Sequence, residues 1–111
     1  MMESEKYVVC LRKDDQEYAI SAETQVDVME EVVEKLINDF QLLNQISLPY
    51  AMRKNAVLNS SPTHPDGSEM RTYREICENI YINTDLPGRT KSSQLERMAS
   101  ECDTAISFDN W

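Results

Sequence analysis

Apolar side chains recur at every third or fourth position from Thr24 to Leu43: Met29, Val32, Val33, Leu36, Ile37, Phe40 and Leu43. That period places them along one side of an α-helix. Asp27, Glu30, Glu31 and Glu34 fall between them, on the opposite side. One element thus holds both the strongest core stripe and the densest acidic stripe. Ser21 or Thr24 can cap it, and Asp27 lies where the helix dipole favours negative charge. Glu31 and Lys35 form a favourable i,i+4 pair. Asp27–Glu31 and Glu30–Glu34 are like-charge pairs at that spacing, each costing about 0.2–0.5 kcal/mol. The apolar stripe therefore stabilises the helix.

Strand patterning surrounds it. Lys6–Arg12 and Glu17–Ala22, joined by the polar turn Lys13–Gln16, predict an N-terminal β-hairpin. The turn lacks the Asn-Gly or Asp-Gly pair that fixes turn type. Residues 1–6 are polar and are expected to fray. Pro49 closes the helical segment. Ala56–Leu58 reads as a short strand, and 60–67, with two prolines and an Asp-Gly, as an exposed loop.

Met70, Tyr73, Ile76, Cys77 and Ile80 share one face at helical spacing, which predicts a helix over 68–79, with Thr72 and Glu75 as a capping box. Ile80–Thr84 is β-branched and aromatic, a strand. Leu95, Met98, Ala99 and Cys102 predict a helix over 90–102, with Ser93 and Glu96 as its capping box, and 104–108 a last strand. The sum is an α+β fold in a single small domain spanning 1–111. An N-terminal β-hairpin, one long amphipathic helix and two shorter helices pack on one face of a small, mostly antiparallel sheet. Trp111 is free to anchor on the core or on a partner.

Charge narrows the function. The formal net charge is −9, with 11 acidic and 4 basic residues in 1–50 against 9 and 7 in 51–111. Such a chain is not built to wrap duplex DNA, which needs clustered Lys and Arg. It suits a basic partner, or simply solubility. Three cysteines, none in a CxxC pair, fit a reduced compartment, so a cytoplasmic location is expected. No apolar run approaches the roughly 18–20 residues of a membrane span.

Four candidate chemistries follow. Asp27, Glu30, Glu31 and Glu34 read as a docking surface for a basic protein of the nucleic-acid-handling kind, with this chain as its inhibitor or accessory subunit; the plain alternative is a solvated helix face. Arg89, Thr90, Lys91, Ser92 and Ser93, after Gly88, offer cations and hydroxyls at a helix start that suits an anion or nucleic-acid backbone. Arg53, Lys54, Arg71 and Arg74 would extend that patch. The stretch lacks the second glycine and the Gly-Lys step of a P-loop, so nucleotide hydrolysis is rejected, and simple helix capping explains its hydroxyls equally well.

His64 is the only histidine, which excludes a His-cluster metal site. Catalysis by it would need Ser60, Ser61 or a Cys beside it and Asp66 to orient it, all within one loop. An enzyme using an unrecognised carboxylate or cysteine site is the remaining alternative. No catalytic residue, metal ligand set or cofactor is assigned.

Overall fold

The structure is a computed structural model that describes residues 6–52 and 55–111. Residues 1–5 of the stretch expected to fray, and the candidate cations Arg53 and Lys54, lie outside the described residues.

The hairpin forms as β1 (Tyr7–Lys13) and β2 (Gln16–Ala22), paired in one unbroken antiparallel register from Lys13↔Gln16 to Tyr7↔Ala22. Its two-residue turn is Asp14-Asp15, at φ 51° and 67°. Two positive φ values in succession give the type I′ turn, whose twist matches that of the strands. Aspartate tolerates this region better than most residues but less well than glycine. Changing Asp14→Asn and Asp15→Gly should therefore raise stability by about 0.5–1 kcal/mol. An upward shift of the urea midpoint at unchanged slope would register it.

The long helix is α1 (Gln25–Phe40). Thr24 is its N-cap, its hydroxyl accepting from Asp27 N–H at 3.1 Å. Expected to reach Leu43, the helix instead stops at Gln41, which enters the left-handed region at φ 57°, and α2 (Leu42–Gln45) follows as a single turn. The kink keeps Leu42 fully buried and Leu43 packed on the core. Lys35 pairs with Asp39 at 2.5 Å rather than with Glu31.

Next come β3 (Tyr50–Met52), β4 (Asn55–Asn59), β5 (Tyr73–Cys77), β6 (Ile80–Asn83), α3 (Gly88–Glu101) and β7 (Ala105–Asn110). The helix expected over 68–79 is not formed: its second half is strand β5. Tyr73, Ile76 and Cys77 keep the helical spacing, but the segment is short and β-branched or aromatic at Tyr73 and Ile76, so the period alone does not hold it as a helix. Pairing decides it. Glu78-Asn79, with Asn79 at φ 63°, turns the chain so that Cys77 pairs with Ile80 and β6 gains an antiparallel neighbour. Thr72 and Glu75 form no capping box; Thr84 N–H donates to Thr72 O, and the Glu75 carboxylate accepts Asn79 N–H. α3 starts two residues earlier than expected, which puts Ser93 inside the helix rather than at its cap. It ends on Asp103 at φ 51°, with Thr104 N–H reaching Ala99 O and Asp103 N–H reaching Ser100 O, a Schellman closure.

The strands form two sheets rather than one, ordered β2-β1-β7 and β3-β4-β6-β5. α1 and α3 pack side by side on one face of the first. The alternation shows it: Val9 and Leu11 are fully buried while Arg12 is exposed, and on β7 Ile106 and Phe108 point inward between exposed Ala105, Ser107 and Asp109. The second sheet meets α1 through β5. Val28, Val32, Val33 and Leu36 of α1 join Val9 and Leu11 of the first sheet and Val57, Leu58 and Ile82 of the second in one continuous core. No helix among the described residues is long and apolar enough to cross a membrane.

Candidate functional site

The acidic stripe of α1 is divided by a residue from β5. Arg74, placed in the anion-binding patch by its charge, lies across α1 instead. Its Nη1 donates to Asp27 Oδ1 at 2.5 Å and to Glu30 Oε2 at 2.7 Å. One guanidinium thereby answers two of the four carboxylates and ties the second sheet to the helix. The pair of bonds raises the Arg74 pKa, chiefly through Glu30, and the Arg74 and Thr24 hydrogen bonds lower that of Asp27.

Glu31 and Glu34 remain. Both are exposed, and among the described residues no cation lies within ion-pair distance of either. With Lys35, Asn38 and Asp39 they line a shallow depression of about 310 Å³. Lys35 leans over the Tyr18 ring, 4.1 Å from its centroid, so this side of α1 borders strand β2.

Two cations of the second candidate site are committed elsewhere, Arg74 to α1 and Lys91 to the backbone before α3. Lys91 is only 7% exposed, and its ammonium donates to Leu86 O at 2.5 Å. Burial lowers its pKa, with Asp85 acting in the opposite direction. Ser92 Oγ donates back to Arg89 O within its own helix turn. Arg71 sits 3.8 Å from Asp85 and is largely solvent-exposed. Arg89 and Ser93 are exposed and Thr90 half-buried.

The start of α3 is instead part of the scaffold. The Trp111 indole N–H donates to Gly88 O at 2.8 Å, and Gln25 Nε2 donates to Trp111 O at 3.1 Å. Trp111 also packs edge-on against Tyr7 and Phe108, so it anchors on the core. A Cβ at position 88 would meet Gln25 Oε1 at 2.7 Å, so a larger residue there has to push the Gln25 amide aside.

His64 is a structural member of its loop. Its Nδ1 accepts Ala56 N–H at 3.0 Å, and its backbone pairs with Ser68 O and Gly67 N–H. The Asp66 carboxylate is turned to the Ser68 hydroxyl and N–H rather than to the imidazole. All three thiols have raised pKa values: Cys10 mainly because it donates to the Asp109 carboxylate, Cys77 and Cys102 mainly through burial. A protonated thiol is a poor nucleophile. Among the described residues no group of three or more His, Cys, Asp or Glu is placed to hold a metal ion.

No family model, curated protein or solved structure matches the chain.

Two carboxylates set an acid limit. Asp27 is held below its ordinary value of 3.8 by Arg74 and Thr24, and Asp66 by Ser68. A carboxylate with a depressed folded pKa contributes stability that is complete above the unfolded value and lost as pH falls through the folded one. Unfolding midpoints should thus be flat from pH 7 to about 5 and fall below about pH 4. Arg74→Ala should flatten part of that fall, because it removes the largest cause of the Asp27 shift.

Proposed function

We propose that this is a non-enzymatic protein that works by protein–protein contact, offering the open carboxylates of α1 to a basic partner. The partner class is a nucleic-acid-handling protein, for which this chain serves as inhibitor or accessory subunit. The observation that carries the reading is the pair Glu31 and Glu34: exposed, with no cation within ion-pair distance among the described residues, on a chain of net charge −9. Neighbouring carboxylates on a helix face stand about 5–6 Å apart at Cβ. Such a row steers a basic cleft toward it and competes there with phosphates.

Asp27 and Glu30 have a different role in this reading. Arg74 neutralises part of their charge and holds them to the scaffold, so they flank the contact while Glu31 and Glu34 make it. The experiment is capture of the native partner by immobilised wild-type protein and by Glu31→Lys/Glu34→Lys, with folding verified by circular dichroism. Capture should fall sharply; a folded variant that captures the partner as well as wild type would refute the reading.

A further inference from the structure

Four strands have an open edge among the described residues: β2 and β7 in the first sheet, β3 and β5 in the second. Proteins normally blunt such edges with short strands, bulges, prolines or lysines. β3 is three residues long and its pairing shifts register at Tyr50/Ala51. The β5 ladder shifts at Glu75/Cys77, and the β7 ladder at Val8/Val9. β2 has no bulge, proline or lysine, and its one charged residue, Glu17, is paired with Arg12. It runs seven residues in unbroken register, QEYAISA.

The register also shows which backbone groups are free. Lys13 and Gln16 close a two-residue turn, so they form a hydrogen-bonded pair, and every second pair after it does too: Leu11↔Tyr18, Val9↔Ile20, Tyr7↔Ala22. Glu17, Ala19 and Ser21 therefore direct their N–H and C=O groups outward from the sheet.

The border of this edge is charged. α1 returns antiparallel to β2: Tyr18 contacts Phe40 and Lys35 near the end of the helix. One helical turn back from Lys35 advances about 6 Å, close to the two-residue step of about 6.6 Å from Tyr18 to Ile20. By that spacing Glu31, one turn before Lys35, falls at about the level of Ile20, and the depression it lines with Glu34, Lys35, Asn38 and Asp39 is formed by α1 itself.

We propose that β2 is an acceptor for an extended basic segment of the partner protein, added as a fourth strand of the first sheet. Backbone bonds to Glu17, Ala19 and Ser21 hold the segment. Lysine or arginine at alternate positions, on the helix side, reaches Glu31 and its acidic neighbours. Strand addition draws affinity from the backbone and specificity from alternate side chains. A second copy of this chain is a poor occupant. A two-fold axis through Ala19 would turn the two α1 acidic faces toward each other, on chains each carrying −9. The proposal rests on the docking reading above and adds the partner's conformation to it.

A synthetic ten-residue peptide of alternating lysine and valine serves as the probe, titrated by calorimetry at low salt, with amide NMR shifts recorded. The largest shifts are expected at Glu17, Ala19 and Ser21. Binding should weaken about tenfold or more in two independent ways: with the same peptide N-methylated at alternate residues, and with Ala19→Pro, whose lost N–H faces outward. The methylated peptide keeps the test valid even if Ala19→Pro folds poorly. Glu31→Lys/Glu34→Lys should also weaken binding.

Binding that survives both backbone blocks but is lost in Glu31→Lys/Glu34→Lys overturns strand addition and leaves the helix-face reading standing. No binding of the alternating peptide, or self-association abolished by Ala19→Pro, overturns the proposal. Partner capture unaffected by Glu31→Lys/Glu34→Lys removes the docking reading itself.

Discussion

Leu36→Ala is expected to lower the unfolding free energy by about 2–5 kcal/mol, a large part of the 5–15 kcal/mol typical of a domain. Leu36 is fully buried on α1, in the core cluster that both sheets share. Truncation removes its transfer free energy and leaves a cavity between elements that cannot all move inward together. β1 is fixed by its ladders to β2 and β7, and β5 by Arg74. A spread toward the upper end of the range is therefore expected, measured as a fall in the urea midpoint. A change below about 1 kcal/mol would mean that α1 is not the element joining the two sheets.

The second large effect concerns the surface. Glu31→Lys with Glu34→Lys moves the net charge from −9 to −5, each substitution adding two. Both side chains are solvent-exposed and bond to no described residue, so stability should change by less than about 0.5 kcal/mol. The pairs of Asp27 with position 31 and of Glu30 with position 34 become opposite-charge while that of position 31 with Lys35 becomes like-charge, so the changes along the helix largely offset each other. Affinity for a basic partner should drop by about tenfold or more, equivalent to about 1.4 kcal/mol or above. Arg74→Ala should act in the opposite direction. It leaves Asp27 and Glu30 without their cation, removes one positive charge from the same face, and should strengthen capture modestly while weakening the hold of β5 on α1.

These contrasts show what could be read from the chain. The α1 stripe was legible because a helix long enough to repeat its period several times leaves little ambiguity. The hairpin was legible from alternation, but its turn type was not, because Asp-Asp fills a type I′ turn without the usual glycine. Strand β5 was illegible: Tyr73, Ile76 and Cys77 follow the helical period, burial along the strand does not alternate, and a register shift between Glu75 and Cys77 breaks the two-residue repeat, so only the Asn79 turn and the pairing with β6 reveal it. The fork from Arg74 to Asp27 and Glu30 spans 47 and 44 residues, so no local pattern could announce it.

Lys91 did leave a signal. It stands four residues before Leu95 and seven before Met98, on the buried stripe of α3, and that position foretells a buried ammonium better than its charge foretells a ligand site. The acidic face was half legible. Composition located it, but only the fold shows that two carboxylates are bound to Arg74 and two stand open.

The most direct test is the affinity of the captured native partner for wild-type protein and for Glu31→Lys/Glu34→Lys, titrated at low and at high salt. The expected result is a loss of about tenfold or more at low salt that shrinks as salt screens the contact. Equal affinities for wild type and a folded variant at both salt concentrations would contradict the assignment of this helix face as the binding surface.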